Sequence, residues 1–230
     1  MAAKTIALYI DHKSPYAYLA VEPAWDLERD FDVVLDLLPY TLDIPDFLGS
    51  AEVAEDGTVI AQNRTAHQWR RVKYSYMDAR RYANLRGLTI RGPQKIWDSS
   101  LSGIGLLWAK QHGAERRYND IVYQRFWQRA LDIEDVGVVE GVLHEAGIAT
   151  EGFPAWAGGE GRDLHDRIRQ DAESTGVFGV PTFVLDGELF WGREHLALIR
   201  LRLFELGLVR PGVKSPLEVN HAWQPNDRDD

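Results

Sequence analysis

Segments with β-strand patterns stand near both ends of this 230-residue chain, and a long run of helical patterns separates them. "TIALYID" at residues 5–11 and "DVVLDLLPY" at 32–40 are rich in β-branched and aliphatic residues. Between them, "YAYLAVEPAWDLERD" has helical spacing. Two strands joined by a helix of this length favour a parallel pair with the helix packed on one face. The first 45 residues therefore predict a β-α-β unit.

The strand pattern returns only after Gly176. "VPTFVLDGELFWG" at residues 180–192 contains two short strands around Asp186-Gly187, a dipeptide typical of two-residue hairpin turns. "REHLALIRLRLFELG" at 193–207 has the spacing of an amphipathic helix. The order β-α-β, helical block, β-β-α predicts an α/β protein of the thioredoxin-like fold with a large all-helical insertion. The predicted thioredoxin-like domain comprises residues 1–45 and 176–208, with the insertion at 64–175 and a C-terminal tail at 209–230.

Local signals predict details of this layout. Pro23 falls inside the first helical segment and predicts a kink or a division there. Residues 43–63 lack a periodic pattern and contain the turn signal "AEDGTV", so we predict irregular structure for them. The tail is rich in proline and polar residues and predicts an extended or partly disordered segment. Glycines punctuate the helical segments and predict helix ends at Gly87, Gly113, Gly147 and Gly176.

The composition excludes one class of activity outright. The chain contains no cysteine, and thiol–disulfide exchange requires a thiolate, so the chain has no disulfide chemistry of its own. Any sulfur chemistry must come from a ligand. The absence of cysteine fits a reducing compartment, and "MAAKTIALYIDHK" lacks the features of a signal peptide, so we expect a cytoplasmic protein.

Charge and hydropathy narrow the set of partners. The formal net charge is −9, whereas nucleic-acid binding normally needs a basic face, so we expect no nucleic-acid partner. No apolar run reaches the ~18 residues that span a bilayer, so we expect no membrane partner. The histidines and carboxylates show no metal-ligand spacing, so we expect no metal. The basic residues between 70 and 81 form either a solvated helix face or a patch that attracts an anionic small molecule.

The four residues Ser14-Pro15-Tyr16-Ala17 read as a thiol redox motif whose two cysteines are replaced by Ser and Ala. Ser14 is a good N-cap residue and Pro15 fits the first helical position, so one interpretation is a plain helix start. The other interpretation is a site that stabilises the sulfur of a bound thiol. A hydrogen bond to a thiolate lowers its pKa, and the partial positive charge of a helix N-terminus acts in the same direction.

Two segments carry a resemblance to a known family: "YIDHKSPYAYLA" at residues 9–20 and "GVFGVPTFVLDGELFWGREHL" at 176–196. They resemble the two signature ends of the 2-hydroxychromene-2-carboxylate isomerases and kappa-class glutathione transferases, which are relatives of DsbA. The resemblance implies a DsbA-like thioredoxin fold, bound glutathione and a homodimer. It also implies a hydrogen bond from Ser14, the catalytic residue, to the glutathione sulfur.

The second signature implies further glutathione contacts. The resemblance implies a cis peptide bond before Pro181, facing Ser14, and a Val180 backbone that pairs with the cysteinyl unit of glutathione. Trp191 and Gly192 precede the position that holds the γ-glutamyl end. That position is usually Asp in the family and is Glu194 here, and Arg193 beside it can pair with the ligand carboxylate.

The substrate side departs further from the family pattern. The family helix Tyr-x-x-x-Asp-x-x-Arg-Trp-Ala is matched at five positions, with Tyr82 standing for the Trp. Arg71 occupies a position that is usually Lys, and Asn63 stands in place of a Gly-Asn pair. Lys73 is a second candidate for binding a substrate carboxylate. His12 occupies a position that is usually aromatic, and it acts either as a base or second donor, or simply packs. The matched residues are Tyr74, Asp78, Arg81, Tyr82 and Ala83; Trp97, Asp98, Ser99 and Ser100 are either further cleft residues or core and cap residues.

The resemblance implies a glutathione-dependent cis-trans isomerase that acts on an aromatic-derived keto acid by thiolate addition and elimination. Arg71, Lys73 or Tyr74 would hold this small aromatic acid. A kappa-like glutathione S-transferase shares the fold and thiol site and remains an alternative. A non-catalytic binding protein with a redox-inactive thioredoxin fold is the second alternative.

Overall fold

The computed structural model of the protein describes residues 3–54 and 56–214. Within these ranges, strands and helices follow the predicted order, with two short additions between the first sheet strands and the helical block. In chain order the elements are β1 Lys4–Ile10, α1 Pro15–Asp30, β2 Val33–Pro39, α2 Ile44–Leu48, β3 Ala51–Val53, β4 Val59–Gln62, α3 Ala66–Leu85, α4 Ser100–Gln111, α5 Glu115–Trp127, α6 Val136–Glu145, α7 Phe153–Gly158, α8 Glu160–Ser174, β5 Thr182–Leu185, β6 Glu188–Trp191 and α9 Leu196–Glu205.

The two ends of the chain close one mixed sheet, in the order β2-β1-β5-β6. β1 pairs with β2 in parallel from Lys4↔Val33 to Ile10↔Pro39, and it pairs with β5 in the antiparallel sense. β5 and β6 form the predicted hairpin, in which Asp186 and Gly187 both have positive φ, 53° and 81°. Two successive positive φ values are what a type I′ turn requires. The predicted β-α-β start and β-β-α end are confirmed.

The first helix is continuous, so Pro23 does not divide it. A proline removes the hydrogen bond to the carbonyl four residues earlier, which here belongs to Leu19. The Arg86 guanidinium donates to that carbonyl at 2.7 Å. The freed acceptor is therefore satisfied by a residue just beyond the end of α3, and α1 runs unbroken from Pro15 to Asp30.

Residues 43–63 are more regular than predicted. Asp43 caps the short helix α2, and β3 and β4 form a separate two-stranded antiparallel sheet. A distant contact supports this hairpin, because the Val53 N–H donates to the Gln94 carbonyl at 2.8 Å. The two short strands are held by tertiary contacts that no local sequence pattern predicts. The expectation of irregular structure was therefore wrong.

The helical block lies against the sheet and shares its core. α4 packs on β2, α5, α6, α7 and α8, and buried side chains from both parts form one continuous hydrophobic cluster. The four predicted glycine caps all have positive φ. Val209 pairs with Phe31, and the Arg210 N–H donates to the Asp30 carbonyl. The predicted tail is thus tied to the end of α1 where it begins, and its remainder from residue 215 lies outside the described residues.

Within residues 3–54 and 56–214, no helix is both long and apolar enough to cross a bilayer. Across the same ranges, no group of three or more His, Asp or Glu side chains is arranged to hold a metal ion.

Candidate functional site

Ser14 caps the N-terminus of α1 at the carboxyl end of β1. Its N–H donates to the Asp11 carbonyl at 2.9 Å, and its Oγ accepts from the Ala17 N–H at 3.2 Å. The side chain is almost buried, with the residue 5% exposed. Among the described residues its hydroxyl donates to no acceptor. The predicted cap is confirmed, and the hydroxyl proton remains able to bond a ligand beside a helix N-terminus.

Val180 lies beside this turn because of the strand register. β1 and β5 pair as far as Tyr9↔Thr182, so Asp11, two residues after Tyr9, and Val180, two residues before Thr182, both stand just beyond the last pair at this end of the two strands. The peptide bond between Val180 and Pro181 is cis, as the resemblance implied. No hydrogen bond joins the Val180 N–H or carbonyl to another residue in the described ranges. An extended ligand at this edge would find one free donor and one free acceptor.

The segment after β6 borders the same edge of the sheet. The Gly192 N–H donates to the Pro181 carbonyl at 2.9 Å, and the Trp191 ring lies over Phe178 with centroids 4.8 Å apart. Gly192 has a φ of 107°, and a Cβ at this position would overlap the Glu194 carboxylate. The positive φ favours glycine at this position, whereas the exposed Glu194 side chain could move away from an added Cβ. Glu194 is exposed and has no ion pair or hydrogen bond within residues 3–54 and 56–214.

Helix α3 contacts both signature segments. The Arg193 guanidinium lies 3.5 Å from the centroid of the Tyr82 ring, and the Tyr16 hydroxyl donates to Asp78 Oδ2 at 3.2 Å. Burial, with the nearby Asp78 carboxylate, raises the pKa of Tyr16 to about 12. Tyr16 therefore stays protonated and holds α3 against the start of α1.

The face of α3 that meets these segments includes Arg71 but not Lys73. Residues four and seven apart share a helix face, so Arg71 lies in line with Ser75 and Asp78. Lys73 lies about 200° around the helix from Arg71, and its ammonium is 5.9 Å from the Trp69 ring. By this spacing Arg71 lies on the same side of α3 as Ser75 and Asp78, but its side chain is exposed. Tyr74 is 56% exposed. Lys73 does not lie on the side of Arg71.

Asn63 lies at the base of the β3–β4 hairpin. Its Oδ1 accepts from the Ser50 N–H at 2.6 Å, so the amide oxygen is used to hold the hairpin. Its amide nitrogen has no partner among the described residues. The predicted contact between Asn63 and substrate therefore depends on that nitrogen alone.

His12 is a core residue and does not face an open cleft. It is 2% exposed, its Nδ1 lies 2.9 Å from Ser102 Oγ, and its Nε2 lies 2.9 Å from Asn119 Oδ1. The rings of Tyr118 and Tyr123 pack edge-on against it. Of the two interpretations of His12, the packed side chain is the one that fits, because both ring nitrogens are occupied. Its predicted contact with substrate does not fit this placement.

The burial of His12 predicts a pH-dependent stability. Burial lowers the pKa of His12 to about 4, against the opposing effects of the Asn119 hydrogen bond and the Asp11 charge. The unfolded chain, with a histidine pKa of ~6.5, binds more protons between these values. The contribution of neutral His12 to the free energy of unfolding is therefore fully present above pH ~6.5. It falls by about 3 kcal/mol as the pH is lowered to 4.

Denaturant unfolding at several pH values would measure this loss as the difference between wild type and His12→Gln. The difference isolates His12 from His165, whose pKa burial also lowers. A folded-state NMR titration of the His12 ring near pH 6.5 would contradict the prediction.

The residues from Trp97 to Ser100 lie in two different environments. Ser99 and Ser100 are buried and their hydroxyls are enclosed without a hydrogen-bond partner in the described part of the chain, which agrees with core placement. Trp97 lines a separate cavity of about 280 Å³ together with Phe126 and Arg129. No pattern in the sequence pointed to that cavity.

Lys13 is the residue beside the site that the sequence analysis missed. Its side chain is 7% exposed, and its ammonium lies 3.6 Å from Asp11 Oδ2. Lysine is almost never buried unless it is paired. The only available signal was a lysine between a buried strand and a helix N-cap, which does not by itself predict burial.

Comparisons with known proteins identify relatives of this chain. The family model described as a DSBA-like thioredoxin domain matches residues 5–204. A 2-hydroxychromene-2-carboxylate isomerase from Sphingobium xenophagum is 26% identical over 205 residues, which cover 88% of this chain and 99% of that protein.

Two solved structures are similar in fold. One of a 2-hydroxychromene-2-carboxylate isomerase has a TM-score of 0.66 at 20% identity and covers 88% of this chain and 96% of its own. A probable DsbA oxidoreductase from Streptomyces coelicolor has a TM-score of 0.70 at 17% identity, covering 92% and 93%. At these identities the likeness establishes the fold alone, and the predicted DsbA-like thioredoxin fold with a helical insertion is confirmed.

Proposed function

The chain belongs to the DSBA-like thioredoxin domain family, and we propose that it is a glutathione-dependent cis-trans isomerase of the 2-hydroxychromene-2-carboxylate isomerase type. The observation that carries the proposal is Ser14. It stands at a helix N-terminus with an uncommitted hydroxyl proton, in a chain that has no cysteine. The likeness to named isomerases over most of the chain supports the isomerase class.

Ser14 would stabilise the thiolate of bound glutathione. Its hydroxyl oxygen accepts from the Ala17 N–H, and its proton would be donated to the sulfur, so the hydroxyl would accept and donate at the same time. A hydrogen bond to the charged form lowers a pKa, and the N-terminus of the 16-residue helix α1 adds partial positive charge. The thiolate is the species that attacks carbon. Ser14 itself forms no covalent bond.

The remaining polar contacts to glutathione use groups that form no hydrogen bond or ion pair within the described residues. The free N–H and carbonyl of Val180 would pair with the cysteinyl backbone in the manner of an added strand. Glu194 would bind the γ-glutamyl ammonium and Arg193 the adjacent carboxylate, since charge-assisted hydrogen bonds are the stronger kind. Trp191 and Pro181 would form the apolar edge between these two contacts.

The reaction would proceed by addition and elimination. The glutathione thiolate adds to a carbon of a double bond conjugated to the ketone, and the displaced electron pair moves onto the ketone oxygen as an enolate. The former double bond is now single, so it rotates. Collapse of the enolate restores the double bond and expels the thiolate, which Ser14 again stabilises. Glutathione is regenerated, and no oxidant, reductant or metal is consumed.

We also propose that the protein works as a cytoplasmic homodimer on a small aromatic acid. The absence of cysteine fits a reducing compartment, in which glutathione is available. The kappa-like transferase alternative differs only in the fate of the adduct, which would leave as product rather than eliminate the thiol.

A calorimetric titration with glutathione, followed by thiolate absorbance in the ultraviolet, tests the proposal. We expect saturable binding with a thiolate signal, and turnover of 2-hydroxychromene-2-carboxylate with glutathione present in catalytic amount. Consumption of one glutathione per product would favour the transferase. The absence of binding at millimolar glutathione would overturn the proposal and favour the non-catalytic binding protein.

The unpaired carboxylate of Glu194 gives a second prediction. Glu194→Gln is expected to weaken glutathione binding about 10-fold, because a charge-assisted contact with the ligand ammonium becomes a neutral one. Glu151→Gln is the matched control, since Glu151 is exposed in the loop before α7. Calorimetry measures both dissociation constants. Equal affinity of the two variants would show that Glu194 does not hold the γ-glutamyl group.

A further inference from the structure

Helix α5 ends with an arginine at a position where five other helices of this chain use glycine. The helices α3, α4, α6, α8 and α9 end in one backbone motif, in which two consecutive N–H groups bond to the carbonyls three and five residues earlier. At the end of α5 the same two bonds run from Arg129 to Phe126 and from Ala130 to Arg125, and Arg129 has a left-handed φ of 61°. In the other five helices the residue at that position, also with positive φ, is Gly87, Gly113, Gly147, Gly176 or Gly207.

The Arg129 side chain is only partly used by the fold. A side chain in the left-handed region is strained, and such strain is concentrated at ligand contacts and other functional sites. Arg129 Nε donates to the Gly92 carbonyl at 2.7 Å, which ties the end of α5 to the loop before α4. A guanidinium carries five N–H donors, and the other four have no acceptor in the described part of the chain. The two terminal amino groups therefore remain able to bind a carboxylate with both of its oxygens.

A carboxylate lines the same cavity as Arg129 without pairing with it. Both Arg129 and Asp132 line the cavity of about 280 Å³, and within residues 3–54 and 56–214 neither forms an ion pair. Asp132 Oδ1 accepts from the Glu134 N–H at 2.9 Å, whereas Oδ2 has no partner in those ranges. The nearby charges of Lys95 and Glu134 pair with each other. One free positive group and one free negative group thus share the cavity, and their charges sum to zero.

Apolar side chains form the rest of the cavity wall, namely those of Pro93, Trp97, Phe126 and Leu131. Trp97 is held in place from two sides. The Phe126 ring meets it edge-on with centroids 6.0 Å apart, and the Lys95 ammonium lies 4.3 Å from the centroid of its ring. Small-molecule sites combine such preformed apolar walls with a few polar groups, and typical volumes are ~300–1,000 Å³. A cavity at the lower end of that range has room for one small ligand.

We propose that this cavity binds a free α-amino acid with an aromatic or large apolar side chain. The ligand carboxylate pairs with the Arg129 guanidinium, the ammonium pairs with Asp132 Oδ2, and the side chain packs on Trp97 and Phe126. A zwitterion matches both free charges of the cavity, whereas a simple acid or amine would leave one of them desolvated without a partner. The site shares no residue with the glutathione contacts proposed above, so it goes beyond the proposed function and does not depend on it.

Calorimetric titrations of the full chain with L-phenylalanine, 3-phenylpropionate and 2-phenylethylamine test the proposal. The second probe lacks the ammonium and the third lacks the carboxylate. We expect saturable binding of L-phenylalanine and at least about 10-fold weaker binding of each single-charge probe, because one charge-assisted contact is lost. Arg129→Gly should weaken L-phenylalanine binding at least about 10-fold and yet stay folded, since glycine suits the left-handed φ. Arg117→Ala, at an exposed arginine of the same helix, is the control and should match wild type.

Asp132→Asn gives a second readout. It keeps an oxygen for the Glu134 N–H but removes the charge, so this variant should bind L-phenylalanine and 3-phenylpropionate with about equal affinity. Thermal unfolding verifies that each variant is folded; should Arg129→Gly fail to fold, the probe preferences of wild type and Asp132→Asn decide alone.

Three results would overturn the site. The first is that wild type binds none of the probes saturably at millimolar concentration, and the second is that it binds L-phenylalanine no better than 3-phenylpropionate. The third is undiminished L-phenylalanine binding in folded Arg129→Gly. All titrations are made without glutathione, so these results do not depend on whether the proposed isomerase activity is found.

Discussion

Ser14→Ala is expected to lower kcat/KM for glutathione-dependent isomerisation by roughly 10- to 150-fold. The hydroxyl is the donor that would face the bound sulfur, and a hydrogen bond to a charged group contributes about 1.5–3 kcal/mol, with each 1.36 kcal/mol equal to a factor of ten in rate. The variant should also raise the pKa of the bound glutathione thiol by about one unit or more. Steady-state kinetics and thiolate absorbance against pH measure both effects.

Ser14→Ala also removes a helix cap, so the functional effect needs a control of equal structural cost. Asp135 caps α6 by accepting from the Val138 N–H at 2.9 Å. Loss of either cap costs about 1 kcal/mol of stability, but Asp135→Ala should leave kcat/KM and the thiolate signal unchanged. A proportional loss of activity in both variants would show that Ser14 acts only as a cap, which would leave the thiol site without its donor.

Gly105→Ala is expected to destabilise the protein by about 3 kcal/mol. Gly105 lies in α4 where α5 and α6 cross it, and a Cβ there would overlap the Tyr118 hydroxyl and approach Val139 Cγ1 to 2.9 Å. The Tyr118 hydroxyl donates to the Ser102 carbonyl at 2.9 Å within the core. Overpacking costs about 1–3 kcal/mol, and breaking a buried hydrogen bond costs a similar amount. The gain in helix propensity of about 1 kcal/mol offsets part of the loss.

Gly141→Ala separates the packing effect from the helix effect. Gly141 lies inside α6, and an added Cβ meets no atom within 4 Å. The same substitution should therefore stabilise the protein by about 0.5–1 kcal/mol through reduced backbone entropy of the unfolded chain. Thermal unfolding should move in opposite directions for the two variants. A shift of the same sign and size in both would show that the crossing of α4 and α5 tolerates an extra methyl group.

The features that the sequence determined by itself are those decided within a few residues. Ser14 and Pro15 define the start of α1 because a cap and a fixed φ act on neighbouring backbone groups. Asp186-Gly187 defines the β5–β6 turn because two positive φ values are required at adjacent positions. The absence of cysteine determined equally directly that any thiol must come from a ligand.

Features that depend on distant partners were decided only by the tertiary structure. Pro23 lies within a continuous helix because Arg86, near the end of another helix, donates to the carbonyl that the proline frees. The β3–β4 hairpin is held partly by Gln94, beyond the end of α3. A pattern confined to one segment contains no information about such partners.

The residues of the candidate site also divide into those that the sequence identified and those whose role only the tertiary structure decided. Resemblance and spacing identified Ser14, Val180 and the segment after β6, and the strand register places them along one edge of the sheet. His12 and Lys13 are adjacent to Ser14 in the chain, yet their roles depend on which side chains surround them. His12 meets Ser102 and Asn119 in the core, whereas the Lys13 ammonium finds no acceptor within hydrogen-bond reach in the described chain. The pairing of His12 is set by residues from α4 and α5, so only the assembled fold determines whether such a polar side chain is structural or available to a ligand.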